Sequence, residues 1–467
     1  MKLYRTILYF CLVFIFYFLF FTFPIRASER NIFGLHLTQA QDLENAAKII
    51  NSNNGDWGWT TIVIRLDQLD KNTWQDFFDK CRRLHIIPIV RLSTIMESGY
   101  WKRPALSDID NLANFLNSLN WPTQNQHIIL FNEINHGSEW GGKIDIKEYA
   151  DMSIYAYQKF KTLNQNFIIL SSGLDLAAPD KGDEFKSAAS VYKEIYLYKP
   201  QYFDNIDAIA SHSYPNHGYI GTPNDAGQHS IRGYQWELEY LKNLGITKTY
   251  PVFITETGWP HREGQTKNNQ YYQADTSAKF LVNALNIWKN DSRVVAVTPF
   301  IYNYPNEPFD HFSWLNSEEK LIPAYNQLIE LAKNKNSPAQ INSYELINNF
   351  LPFVLLTDTE YTGKLILKNT GQAIWGETKF CLTPQSTKNV ILEAVCTSDD
   401  YVPPGQTKTF NYKLKILNNP DYTDKTYISW QDLPPLEITP INSSGTIYSP
   451  NTTLRQKIIQ YIQSWFI

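Results

Sequence analysis

From residue 32 to residue 333, short apolar runs alternate with longer amphipathic stretches. The runs at 32–37, 61–66, 86–92, 128–132, 167–171, 206–211, 252–255 and 294–302 have the length and branching of strands buried on both faces. Between and after them, segments 40–51, 73–84, 108–119, 146–163, 188–198, 232–244, 271–289 and 321–333 carry helical periodicity. This alternation predicts a (β/α)8 barrel over residues 28–336. A doubly wound open sheet competes with it, but that topology calls for a glycine-rich phosphate turn after an early strand, and the sequence has none.

The pattern changes after Lys333. Asn334-Lys335-Asn336-Ser337-Pro338 reads as a linker. Segments 363–368, 408–416 and 426–430 then alternate apolar and polar residues between turn-rich pieces such as Pro403-Pro404-Gly405. The period of two predicts a small antiparallel β-sandwich over residues 337–440. Residues 441–467 begin as a polar linker and end in an amphipathic helix at 454–467, which either packs on the protein or lies in a membrane interface. At the other end, Lys2 and Arg5 precede an apolar run from 7 to 23. As a helix it measures about 25 Å, so residues 1–27 are either a cleaved export signal or a retained membrane anchor. Both readings place the protein outside the cytoplasm, extracellular or at the cell surface.

Composition sharpens this picture in two places. A formal charge of −4 gives no basis for a nucleic-acid partner. Aromatic residues make up 15% of the chain, which suits either core packing or a sugar-stacking cleft. Of the four cysteines, Cys381 and Cys396 are close enough for a hairpin disulfide. No His/Cys/Asp cluster has metal-ligand spacing, so neither a metal nor another cofactor is implied, and a monomer is expected.

The chemistry concentrates where apolar runs end. His127-Ile128-Ile129-Leu130-Phe131 leads into Asn132-Glu133, and Pro251-Val252-Phe253-Ile254-Thr255 leads into Glu256. A carboxylate there must be solvated, paired or used, because burying it bare is costly. Two such strands suggest paired carboxylates at the barrel mouth, the pair that cleavage of a glycosidic bond requires. Arg65, Arg91, His212-Ser213-Tyr214 and Tyr302-Asn303-Tyr304 end other strands. Each has a plainer reading. Asn132-Glu133 can cap the following helix, Arg65 and Arg91 can form structural ion pairs with Asp67 or another acid, and His212 can be a core histidine. Arg91 is expected to be such a structural pair.

Asn-Glu ending the fourth strand, Glu ending the seventh, Arg ending the second and His-x-Tyr ending the sixth resemble clan A of the retaining glycoside hydrolases, the family 5 cellulase and mannanase type in particular. The resemblance implies that Glu133 is the acid/base and Glu256 the nucleophile. Asn132 would hold the substrate's 2-hydroxyl, Tyr214 would hydrogen-bond the nucleophile, Arg65 would keep Glu256 ionised and His212 would orient the site. It further implies double displacement on a β-linked oligo- or polysaccharide, with endo action expected. A catalytically inactive glycan-binding surface protein is the alternative. Two departures stand out: no His follows the third strand, and Tyr302 stands where the family usually has a Trp. Trp140 and Trp259 are loop candidates for sugar stacking or ordinary packing, as is Trp101. In the second part, Asn369-Thr370-Gly371 with Trp375 and Trp430 resembles an Ig-like four-tryptophan domain, which implies a spacer or a carbohydrate-binding module.

Overall fold

The computed structural model describes residues 30–441 except 353, 386–388, 398–399 and 419–425. The expected leader at 1–27 and the amphipathic helix at 454–467 lie outside the described residues. The chain forms two compact units, divided between Pro338 and Ala339.

In the first unit, β1 (Gly34–Leu37), β2 (Gly58–Arg65) and β3 (Ile86–Ser93) are followed by a short hairpin, β4 (Met96–Glu97) and β5 (Tyr100–Trp101). β6 (Gln126–Ile129), β7 (Phe167–Leu170), β8 (Ile209–His212), β9 (Val252–Glu256) and β10 (Val294–Val297) complete its strands. The central strands all run parallel, in a five-stranded sheet of order β1-β2-β3-β6-β7 and a three-stranded sheet of order β10-β9-β8. Single parallel bridges join the edges of the two sheets, Phe33 to Val297 and Leu170 to Ala208.

Helices follow the strands because each carries one apolar stripe. α1 (Leu43–Ile50), α2 (Lys71–Arg83), α3 (Leu106–Asn117) and α4 (Ile146–Leu163) precede α5 (Ala188–Tyr198), α6 (Gly233–Asn243), α7 (Ala274–Lys289) and α8 (Asn326–Glu330). Asp70 caps α2 by accepting from Thr73 N, and Asp145 caps α4 by accepting from Glu148 N. The stripes and the outer strand faces build one core, with Leu35, Ile62, Val90, Ile128 and Ile254 against Phe78, Leu112, Phe160 and Leu281. Strands buried on both faces explain the continuous apolar runs. The opposite strand faces form a second cluster of Trp59, Ile89, Ile129, Leu170, Ala210, Phe253 and Ala296.

Two elements differ from expectation. The run at 294–302 is a strand only to Val297; beyond it the backbone bonds alternately to both neighbours, Thr298 N to Ile254 O, Phe300 N to Thr257 O and Tyr302 N to His36 O. The helix expected at 321–333 shrinks to α8. A 3-10 turn at Pro323–Tyr325 precedes it, and Lys333 Nζ then donates to Leu328 O at 2.5 Å, filling the helix's C-terminal acceptor.

The second unit is β-structure. β11 (Tyr344–Phe350), β13 (Glu360–Asn369), β17 (Thr407–Ile416) and β15 (Val390–Leu392) make an antiparallel sheet, with β12 (Val354–Leu356), β19 (Leu436–Ile441) and β18 (Thr426–Ile428) in another. One core serves both, with Leu365, Phe410, Tyr412 and Leu414 from the first sheet and Leu355, Ile428 and Ile438 from the second. β14 (Cys381–Leu382) pairs antiparallel with β16 (Val395–Cys396), and a disulfide joins Cys381 to Cys396.

Candidate active site

Separate strands deliver the polar groups at the C-terminal end of the first unit's sheet. β6 leaves the ladder just before the chemistry begins: Leu130 N still donates to Leu170 O at 3.2 Å, but Phe131 takes a left-handed φ of 69°. A bulky side chain holds that conformation only where its surroundings impose it. Here the Phe131 ring packs edge-on against Trp140, with centroids 5.6 Å apart. Asn132 and Glu133 follow directly and meet side chains from β3 and β8.

Glu256, the last residue of β9, is only 8% exposed and its carboxylate is surrounded by donors. Arg91 of β3 donates from Nη1 to Glu256 Oε1 at 2.5 Å and to Asn132 Oδ1 at 2.8 Å. Tyr214 Oη donates to Glu256 Oε2 at 3.2 Å. His36 Nε2, from β1, lies 3.7 Å from Oε1, and His212 Nδ1 lies 3.8 Å from Oε2. Burial alone would raise this carboxyl, but the charges of His212 and Arg91 outweigh it and bring it down to about 2. Glu256 is therefore ionised and held in one orientation at neutral pH.

Glu133 stands in a different setting. Its Oε1 is 2.8 Å from His212 Nδ1, and its Oε2 is 3.8 Å from His136 Nδ1. The His212 ring packs so closely over Gly173 that a Cβ there would stand 2.2 Å from it, so a side chain at 173 would displace the histidine. Burial works against charge on His212, but Glu256 and the hydrogen bond to Glu133 more than compensate and raise it. Buried His36 goes the other way, lowered to about 3 by burial and by Arg91, and is neutral. A third carboxyl, Glu139, lies in the turn after Glu133; burial and the Glu133 charge push it up to about 7.

Glu133, His212 and Glu256 each offer a donor atom within 4.8 Å of the other two. That spacing also suits a cation. The Arg91 guanidinium already neutralises Glu256 from the same side, so the donor set favours charge stabilisation over metal binding.

The structure thus brings together Asn132, Glu133, His212, Tyr214 and Glu256. It separates Arg65 from them, and the cation beside Glu256 is Arg91. Arg65 is held by a fork to Asp67, with Nε donating to Oδ1 at 2.9 Å, and its guanidinium lies 5.9 Å over the Trp101 ring. The register explains the exchange: Arg65 pairs with Ser93 at the rim, whereas Arg91 pairs with Val63 and Ile129, two residues deeper. Of the two alternatives for Trp140 and Trp259, the structure shows packing and not a stacking platform, the side chains being 1% and 3% exposed. Trp140 Nε1 donates to Glu148 and Trp259 Nε1 to Gly221 O, which pins both rings inside. Tyr302 is also buried, and its hydroxyl is pushed up to about 12 by that burial. His36, His136, Glu139 and Asp175 also surround the two carboxyls, and no motif marks them in the sequence. A histidine inside the apolar run Gly34-Leu35-His36-Leu37 was the one visible signal.

No known protein-family model matches the sequence, and neither does any curated protein sequence. Among solved structures, the chain is similar to a GH128 (subgroup II) endo-β-1,3-glucanase from Sorangium cellulosum, at 15% identity and a TM-score of 0.40, over 64% of this chain and 97% of that one. It is similar to the β-glucanase SdGluc5_26A from Saccharophagus degradans in complex with cellotetraose, at 14% identity and a TM-score of 0.40, over 64% of this chain and 87% of that one. The GH53 catalytic domain from Ignisphaera aggregans is similar at 12% identity and a TM-score of 0.45, over 67% of this chain and 98% of that domain.

Proposed function

We propose that the first unit is a (β/α)8 barrel, with the two edge bridges closing its sheet, and that it is a retaining β-glycosidase acting within a β-linked polysaccharide. The observation that carries this is the pair of carboxyls within 4.8 Å, one ionised by Arg91 and His212 and the other half-buried beside two histidines. Inverting enzymes keep about 6.5–9.5 Å between their carboxyls to admit a water, whereas retaining enzymes keep about 5–5.5 Å, and the close approach of the two carboxyl oxygens supports the retaining reading. Glu256 attacks the anomeric carbon while Glu133 gives its proton to the departing glycosidic oxygen. A glycosyl ester on Glu256 results. Glu133, now a carboxylate, takes a proton from water, and the hydroxide equivalent attacks the same carbon and releases Glu256. Asn132, fixed through Oδ1 by Arg91 and through one amide proton by Glu139, holds the 2-hydroxyl with the other amide proton. The protein works outside the cytoplasm, exported by residues 1–27, and the second unit serves as an Ig-like spacer.

Glu133→Ala tests the reading. On β-glycosides with poor leaving groups, kcat/KM should fall by about 10²–10⁴, whereas glycosylation by dinitrophenyl glycosides should survive. Azide should restore turnover and give a β-glycosyl azide. Equal loss on both substrates with no azide product would exclude Glu133 as the acid/base. A wild-type protein inert on glucans, mannans, xylans and galactans would count against hydrolysis altogether.

A further inference from the structure

The two oxygens of Glu133 are not equivalent. Oε1 is occupied by His212 Nδ1 at 2.8 Å, so the oxygen left to meet a leaving group is Oε2. His136 flanks that oxygen, its Nδ1 3.8 Å away, a distance too long for a hydrogen bond but short enough for charge to be felt.

His136 is held more firmly than a loop side chain needs to be. Its Nε2 lies 3.0 Å from Asp175 Oδ2, and its ring packs edge-on to Phe185 with centroids 4.9 Å apart. Its backbone N donates to Glu133 O at 2.8 Å, which closes a tight turn between the two residues. Asp175 is fixed in turn. Its Oδ1 accepts from Ala177 N at 2.8 Å, and the Asn135 side chain both donates to its carbonyl at 2.9 Å and accepts from its N–H at 3.2 Å. An aspartate accepting at Nε2 fixes the proton there and leaves Nδ1 facing Glu133.

Resting on the reading of Glu133 as acid/base, we propose that His136, oriented by Asp175, is a positioning residue that eases release of the proton from Glu133 Oε2 by stabilising the carboxylate left after the proton has gone. A retaining enzyme needs its acid/base in both forms, protonated for the first displacement and ionised for the second. His212 serves Oε1, whereas His136 faces the oxygen whose charge changes. Burial disfavours its imidazolium, but Asp175 and Glu133 outweigh burial and raise it. No bond to His136 forms or breaks; the proton travels from Glu133 to the leaving oxygen and later from water back to Glu133. The charged and titratable groups around Glu133 are Arg91 of β3, His212 and Tyr214 at the end of β8, Tyr219 beyond it, Glu256 of β9, Asp175 after β7, and Glu139 and His136 in its own turn.

The test uses the full chain, with phenyl and 2,4-dinitrophenyl β-glycosides of glucose, mannose, xylose and galactose. In His136→Gln, kcat/KM on the phenyl glycoside should fall about tenfold while the dinitrophenyl glycoside is nearly unaffected. The alkaline limb of kcat/KM should move up by about one pH unit, because a carboxyl deprived of a neighbouring cation holds its proton longer. Asp175→Asn, which removes the group that keeps His136 charged, should shift the limb in the same direction by less, and it reads the same effect should His136→Gln fail to fold. Equal loss on both substrates, or an unmoved alkaline limb in a folded variant, would overturn the role. Leaving-group dependence in Glu133→Ala without any in His136→Gln would overturn this inference alone; its absence from Glu133→Ala as well would overturn the acid/base assignment and this inference with it.

Discussion

His127 and His212 are both buried, one near the start of β6 and the other at the end of β8, and burial leaves them in opposite states. His127 is lowered to about 4 by burial alone. Its neighbours are the rings of Trp59 at 5.2 Å and Phe253 at 5.3 Å, neither of which carries a charge. His212 is buried as deeply, but two carboxyls and an arginine surround it, and it is raised. The N-terminal end of the sheet is plugged with aromatic side chains that exclude charge, and the C-terminal end concentrates charge in a compensated set. Desolvation alone sets the direction for His127, and for His212 neighbouring charges outweigh it and reverse the direction. Activity should therefore reside at one end and acid sensitivity of the fold partly at the other.

The sharpest way to break that contrast is Glu256→Gln, which keeps the shape and removes the proposed nucleophile. It should lower kcat on the order of 10⁶, as in other enzymes stripped of the nucleophile, with substrate binding retained by calorimetry. Substantial residual turnover would move the nucleophile elsewhere.

Arg91→Met should come next. The ion pair is nearly buried, so removing the cation strands the Glu256 charge and costs about 3–5 kcal/mol by denaturant unfolding. Glu256 is depressed from 4.5 to about 2, so its stabilising contribution is complete above about 4.5 and disappears as pH falls toward 2. Without Arg91 both this loss and the acid limb of kcat should move to higher pH. An acid limb that stays in place would show His212 alone to be sufficient.

His127→Leu should have the smallest effect, on stability only. His127 is lowered from 6.5 to about 4, so the neutral ring's contribution is complete above 6.5 and is lost as pH falls through 4. Replacing it should leave kcat/KM unchanged and shrink the drop in Tm between neutral pH and about pH 4. A loss of activity would mean that the two ends are coupled through the strand-face cluster.

The alternation of apolar runs and amphipathic segments, the break near Pro338 and the strand ending in Glu256 were legible in the chain, because burial on both faces and helical period are properties of neighbouring residues, whereas the strand expected to reach Asn132 stops at Ile129, where Phe131 turns the chain. The shortened α8 was not legible: Leu331 turns to extended backbone and the Lys333 side chain folds back onto Leu328 O, neither of which the spacing of apolar residues encodes. Nor was the fate of Trp140 and Trp259: a tryptophan in a loop looks the same in sequence whether it faces solvent or plugs the core.

The sequence by itself determined that two glutamates follow buried apolar runs in an α/β unit, because a carboxyl after such a run must be compensated wherever the run ends. Only the tertiary structure decided which groups compensate it. Arg65 and Arg91 look alike at strand ends, and register alone puts Arg91 at the level of Ile129 while Asp67 captures Arg65 at the rim. His36, His136 and Asp175 reach the site from positions 36 to 175, and charge couples through space over a few ångströms regardless of separation along the chain.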